Sequence, residues 1–230
     1  MFKKSVIFSN IKKMIFFMWL LSTVFTSCKK ENDDVLLLDK MTFDTPSGKI
    51  KFSFVYDSHG RLTRFNLIFE SQPFALINIG YNEGGEISNL NGRKVERTGD
   101  VITVSSGNTP VYTYSLSSDQ LEITTHSTCA TTTFWYDGNG NITKFLDSSG
   151  SPYVICEKYD GKKSPFYSCE TPRWALIDIF LLYDLGMVNN PGSITGYDTL
   201  ISYTYEYNSA GYPTKRKSKN QMVDFTYRKK

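Results

Sequence analysis

The sequence predicts a mainly β protein: a long antiparallel meander curled into an open or partly closed barrel, with one buried helix near residues 172–186. Three observations predict it. The chain of 230 residues holds 15 Tyr, 16 Phe and 3 Trp, and aromatic residues favour strands. A turn pattern built on Tyr, Asp or Asn, and Gly recurs along it. Between the turns, apolar and polar residues alternate with the period of two that half-buried strands require.

Residues 1–27 stand apart from the fold. Lys3, Lys4, Lys12 and Lys13 form a basic start without an acid, and an apolar run from Met14 to Phe25 follows. That run is too short to span a bilayer as a helix, and it suits the core of a signal peptide. It ends in Thr26-Ser27-Cys28, which resembles the lipobox of bacterial lipoproteins, with Phe25 where that family usually carries Leu. The resemblance implies cleavage before Cys28 and lipidation of Cys28 with acyl chains of the palmitate class. One acyl chain anchors marginally and several anchor durably. Residues 28–35 then read as an acidic tether containing Glu31, Asp33 and Asp34. It is similar to the tag that directs Bacteroidetes-type lipoproteins to the outer face of the outer membrane. The membrane is thus the first expected partner.

Cleavage changes the charge. The leader removes four Lys and no acid, so a nominal +3 falls to about −1, and the basic balance gives no reason to expect nucleic acid. Only the end of the chain, Lys215-Arg216-Lys217 and Arg228-Lys229-Lys230, is locally basic, and it reads as a solvated edge strand.

From residue 36 onward a single rolled domain is expected. Its turns repeat: Tyr56-Asp57-Ser58-His59-Gly60-Arg61-Leu62, Tyr81-Asn82-Glu83-Gly84-Gly85-Glu86-Ile87, Tyr136-Asp137-Gly138-Asn139-Gly140-Asn141-Ile142, and Tyr207-Asn208-Ser209-Ala210-Gly211-Tyr212-Pro213, with Tyr159-Asp160-Gly161 as a broken copy. The spacing has a mechanism. Tyr ends a strand, the Asx side chain closes a turn, Gly takes positive φ, and an aliphatic residue starts the next strand. The pattern resembles the YD repeats of bacterial surface and toxin-shell proteins, which implies architecture and no catalysis. Strands between the turns are clearest at Phe52, Phe54 and Tyr56, at Leu121 and Ile123, and at Ile201, Tyr203, Tyr205 and Tyr207. Roughly twelve to fifteen strands are expected, and a sheet that long must curl.

One segment breaks the alternation. Thr171-Pro172 offers an N-cap and a first helical residue, and Trp174–Leu185 follows as an apolar run closed by Gly186. Apolar on nearly every side, it is expected to be buried as a plug against the concave face of the sheet. Asp178 and Asp184 stand about 240° apart around such a helix, so they form no paired-carboxylate site.

In this order, the lipobox, the Tyr-Asp-Gly hairpins, Lys163-Ser164-Pro165-Phe166, the helix, Asn189-Asn190 and the final hairpin ending Gly211-Tyr212-Pro213 resemble a family of Bacteroidetes lipoproteins. That family is a domain of unknown function described as porin-like. The resemblance implies a rolled antiparallel sheet and confers no activity.

The chemistry on view is sparse. His59 falls in a turn and His126 after a strand, and both read as solvated polar residues. No hydrolase, zinc-protease or phosphate-loop motif occurs. The three cysteines left after cleavage are Cys129, Cys156 and Cys169, without metal-like spacing, so no metal and no cofactor is expected. Cys156 and Cys169 are the expected disulfide, since Gly161 and Pro165 between them let the chain fold back. The functional expectation is a non-catalytic surface module binding a glycan or a protein. The alternatives are a carrier holding an apolar ligand under the helix, and a glycan-active enzyme.

Overall fold

The computed structural model describes residues 35–180, 187–196 and 199–230. The leader and Cys28 lie outside the described residues. Among the described residues, seventeen strands form one antiparallel sheet, two more than the upper expectation. In chain order they are β1 (Leu36–Thr45), β2 (Gly48–Tyr56), β3 (Leu62–Phe69), β4 (Gln72–Tyr81), β5 (Ile87–Leu90), β6 (Arg93–Thr98), β7 (Val101–Ser106), β8 (Thr109–Leu116) and β9 (Gln120–Thr125). There follow β10 (Ala130–Tyr136), β11 (Ile142–Leu146), β12 (Pro152–Lys163), β13 (Asn189–Gly196), β14 (Thr199–Ser202), β15 (Thr204–Tyr207), β16 (Pro213–Lys217) and β17 (Met222–Lys229). Each strand from β1 to β13 pairs with the next, and β15 pairs with β16 and β16 with β17. β17 then pairs with β1, from Leu36 opposite Lys229 to Asp44 opposite Met222. The basic C-terminal strand is therefore a closing strand rather than an edge. Among the described residues, the result is a barrel closed except between β14 and β15.

The four complete turns are copies of one another. In each, the Asx side chain accepts backbone N–H groups of the turn, as Asp137 Oδ1 does from Asn139 and Asn141 at 2.9 and 2.8 Å. The glycines follow with φ of +84° at Gly60, +83° at Gly85, +85° at Gly140 and +81° at Gly211. Each Tyr pairs with the residue six positions on, and a β-bulge lies beside that pair. The residue after the paired aliphatic is the extra one, and it is always Thr or Ser. Its hydroxyl donates to a carbonyl of the opposite strand: Thr63 to Val55 at 3.2 Å, Ser88 to Gly80 at 3.5 Å, Thr143 to Trp135 at 3.3 Å and Thr214 to Glu206 at 3.2 Å. The hydroxyl thus serves a carbonyl where the ladder is locally disrupted. A fifth turn, Asp147 to Ser151, has the same backbone bonds and Gly150 at φ +79°, but begins from Leu146 instead of Tyr.

A plug segment connects β12 to β13 and contains the helix α1 (Arg173–Phe180). The expected helix continues to 186, and residues 181–186, Asp184 among them, lie outside the described residues. Ala175, Leu176 and Ile177 are fully buried, and Trp174 packs on Tyr114 with ring centroids 4.8 Å apart. They join an apolar core fed by inward residues of nearly every strand, including Leu38, Phe54, Val104, Leu121 and Phe134. The outer face instead carries exposed charge, as at Lys51, Lys94, Glu96 and Glu157. This is the reverse of a lipid-facing barrel, which is apolar outside and polar within.

Antiparallel alternation sorts the turns between two ends. The four Tyr-Asx turns, the plug and the first residues of β1 share one end. All four turns also bond the plug or the strand that leaves it. Gly60 O accepts from Glu170 N at 3.0 Å, and Leu62 N donates to Thr171 Oγ1 at 2.7 Å. The Tyr81 hydroxyl lies 3.0 Å from the same Thr171 oxygen. Asn141 and Asn189 bond reciprocally at 2.9 and 3.1 Å, and the Tyr212 hydroxyl meets Ser168. Thr171 therefore ties the plug to the sheet instead of capping α1, a correction to the expected N-cap.

Candidate binding site

The interruption in the ladder defines the site. β14 and β15 are one strand broken at Tyr203 alone, its first half pairing with β13 and its second with β16. Next to β15, side chains replace the missing ladder. The Tyr205 hydroxyl donates to Pro191 O at 2.8 Å, the Tyr207 hydroxyl donates to Asp160, and Asn190 Nδ2 donates to Lys163 O at 2.9 Å. Among the described residues, β14 has a ladder with β13 and none on its other side. β16 ends at Lys217, and Ser218, Asn220 and Gln221 of the loop to β17 border the same opening as Ile201 and Tyr203.

The resulting cleft holds about 340 Å³ at the end opposite the plug. Tyr153 and Tyr203 supply aromatic walls, and Val154 and Ile194 form an apolar floor. That floor belongs to a second, smaller apolar cluster, which also includes Cys156. Thr45, Ser218, Asn220 and Gln221 add hydroxyls and amides around the opening. Behind the wall lies Arg216, 1% exposed, with its guanidinium 4.6 Å from the Tyr203 ring centre. Its Nη2 donates to Gln221 Oε1 at 2.7 Å. One buried cation thus fixes both an aromatic wall and an amide of the rim. Aromatic faces beside amide and hydroxyl groups suit a ligand with an apolar face and many hydroxyls.

The residues singled out in the sequence fall elsewhere. His59 is exposed in the first Tyr-Asx turn, and His126 is exposed at the other end, with Nε2 2.8 Å from the Thr113 hydroxyl. Asp178 is half buried beside Tyr114. Burial pushes its carboxyl up, and Tyr114 and then Arg93 oppose the shift. Burial likewise raises the Tyr114 phenol, and Asp178 adds to it, although the two do not close a full hydrogen bond. The expected bridge between Cys156 and Cys169 is not formed. Cys129, Cys156 and Cys169 form no disulfide, and the expected pair sits in two separate apolar clusters. Burial raises the Cys169 thiol. Among the described residues no three acidic, His or Cys side chains gather as a metal would need.

No family model and no curated protein matches the chain. Solved structures do. The chain is similar to a porin-like protein from Bacteroides uniformis, at 11% identity over 83% of this chain and 98% of that one, with a TM-score of 0.40. A porin-like protein from Bacteroides vulgatus is similar at 11% identity over 84% and 98%, with a TM-score of 0.34. Likeness at this level carries no functional argument. The reading below rests on the cleft.

Proposed function

We propose that this protein is a lipid-anchored module of the outer membrane that faces outward and binds a glycan, without catalysis, in the cleft beside β14. The observation that carries the reading is the pair Tyr153 and Tyr203 over an apolar floor, with hydroxyls and amides at the opening. Topology supports it. β1 begins at the plug end, while the cleft opens at the other, so a chain tethered through Cys28 presents the cleft away from the membrane. Six residues lie between Cys28 and Val35, and the seven steps along the chain reach at most about 25 Å when extended. The charged outer wall supports anchoring by lipid over insertion of the strands. An apolar carrier is the weaker reading, because Ala175, Leu176 and Ile177 fill the space beneath the described part of the helix.

Two measurements test this. Full-length protein in detergent, applied to a glycan array, should bind a defined set of sugars, and Tyr153→Ala or Tyr203→Ala should weaken that binding about tenfold through lost stacking. An array without binders, or binding indifferent to both variants, would remove the glycan reading. Separately, Cys28→Ala should leave an uncleaved precursor or release the protein from membranes. A Cys28→Ala protein that matures and partitions into detergent like wild type would remove the anchor.

A further inference from the structure

We infer that the outer edge of β4 is a two-fold docking edge, and that its occupant is β4 of a second copy of this chain. β4 pairs with β3 from Gln72 opposite Phe69 to Asn78 opposite Arg64. On its other side it meets β5 only at Ile79, Gly80 and Tyr81. β5 is four residues long, and the turn after it lies level with Asn78, whose carbonyl accepts from Asn91 N at 2.7 Å. Above that level, among the described residues, no strand covers residues 72–77. The β3–β4 hairpin therefore rises beyond its neighbour with one backbone edge open. Strand alternation turns the N–H and C=O of Leu76 in the direction of the Asn78 carbonyl, toward the open side.

Open edges are usually blunted by charge, most often Lys. This one is not. From Ser71 to Asn78 the chain reads SQPFALIN, without a charged residue. Phe74 is 74% exposed and Leu76 51%, and with Ile68 and Pro73 they line a groove of about 370 Å³ on the outer surface of the hairpin. An open backbone edge calls for an extended strand, and the apolar groove beside it calls for apolar side chains from that strand.

A second copy meets both demands. Antiparallel pairing about a two-fold axis at Leu76 sets Leu76 against its own copy and Ala75 against Ile77, and no like charges oppose each other across the contact. Pro73 lacks an N–H, and a bulge beside it interrupts the register with β3. Pairing therefore stops short of the hairpin tip. The contact is brief and uses the edge completely, so it closes as a dimer and does not extend into a fibre.

The test uses the full chain in detergent, with Cys129→Ser to remove the exposed native thiol. In that background Leu76→Cys should be captured as a covalent dimer by a short bis-maleimide. Thr109→Cys, an exposed rim position outside the contact, should stay monomeric. Sedimentation from about 1 to 100 μM should show self-association, and Leu76→Lys should abolish it while leaving the melting temperature unchanged. The inference is overturned if Leu76→Cys is captured no more than Thr109→Cys, or if the Leu76→Lys protein still associates. It is overturned equally if wild type is monomeric throughout and β4 takes up only a foreign extended peptide. None of these readouts involves a glycan, so they fail or succeed apart from the cleft.

Discussion

The two ends of the barrel use the same strands for different purposes. At the plug end, four copies of one turn lock into a connecting segment, and a cation lies over each turn tyrosine. Arg228 covers Tyr56 at 5.3 Å, Arg61 covers Tyr81 at 4.4 Å, Arg173 covers Tyr136 at 5.7 Å and Lys162 covers Tyr207 at 5.7 Å. At the other end the turns differ in length and height, leaving a cleft where β14 loses a neighbour and an open edge where β5 is short. Repetition marks the end that holds the molecule together. Irregularity marks the end available for contact.

The largest expected effect comes from the plug. Trp174→Ala should cost about 3–5 kcal/mol through lost transfer energy and a cavity, and should lower stability and cleft binding together. An unchanged melting temperature would mean that the plug does not brace the barrel, and the division between the ends would collapse. A smaller effect separates two glycines in the same turn geometry. Gly140 at the plug end and Gly150 at the open end have φ of +85° and +79°. A Cβ at Gly140 would overlap the Arg173 guanidinium, whereas at Gly150 nothing lies within 4 Å. Both alanine variants should lose about 1–2 kcal/mol for the left-handed backbone, and Gly140→Ala should lose more. Equal losses in denaturant melts would show that the cation matters little.

The interior between the ends gives the smallest effect, and it depends on pH. Burial raises the Asp178 carboxyl in the folded protein, so folding favours its protonated form. Stability from this group is complete below the unfolded carboxyl value, about 3.9, and is lost as pH rises through the folded value. Asp178→Asn should therefore melt higher than wild type at pH 7, and the gain should vanish near pH 3.5. A gain that is constant with pH would assign the effect to packing.

Local chemistry made the plug end readable in the sequence. Tyr, Asx and Gly at fixed spacing announce a turn because each residue acts within a few positions. The Thr or Ser in the eighth place was equally visible, as Thr63, Ser88, Thr143 and Thr214, but its use appears only once the bulge places it beside a carbonyl. The barrel and the buried helix followed from alternation and from the apolar run. The cleft did not, because it depends on which strands lose partners after closure, and nothing local marks Tyr203 as a break. Cys156 and Cys169 failed for the same reason: a flexible intervening segment permits a bridge, while packing places the thiols in different clusters. The β4 edge was hidden by the brevity of β5.

The pairing of β1 with β17 has a consequence for how the molecule is made. The first strand finds one of its neighbours only in Met222–Lys229, the last strand of the chain. The barrel therefore cannot seal before Met222–Lys229 is made, and a product lacking that strand would leave β1 and β16 with raw edges. Contacts so distant in sequence form slowly. A sheet of this design stays open until two strands far apart in sequence meet, so every strand between them gains its full set of neighbours only when that pairing forms.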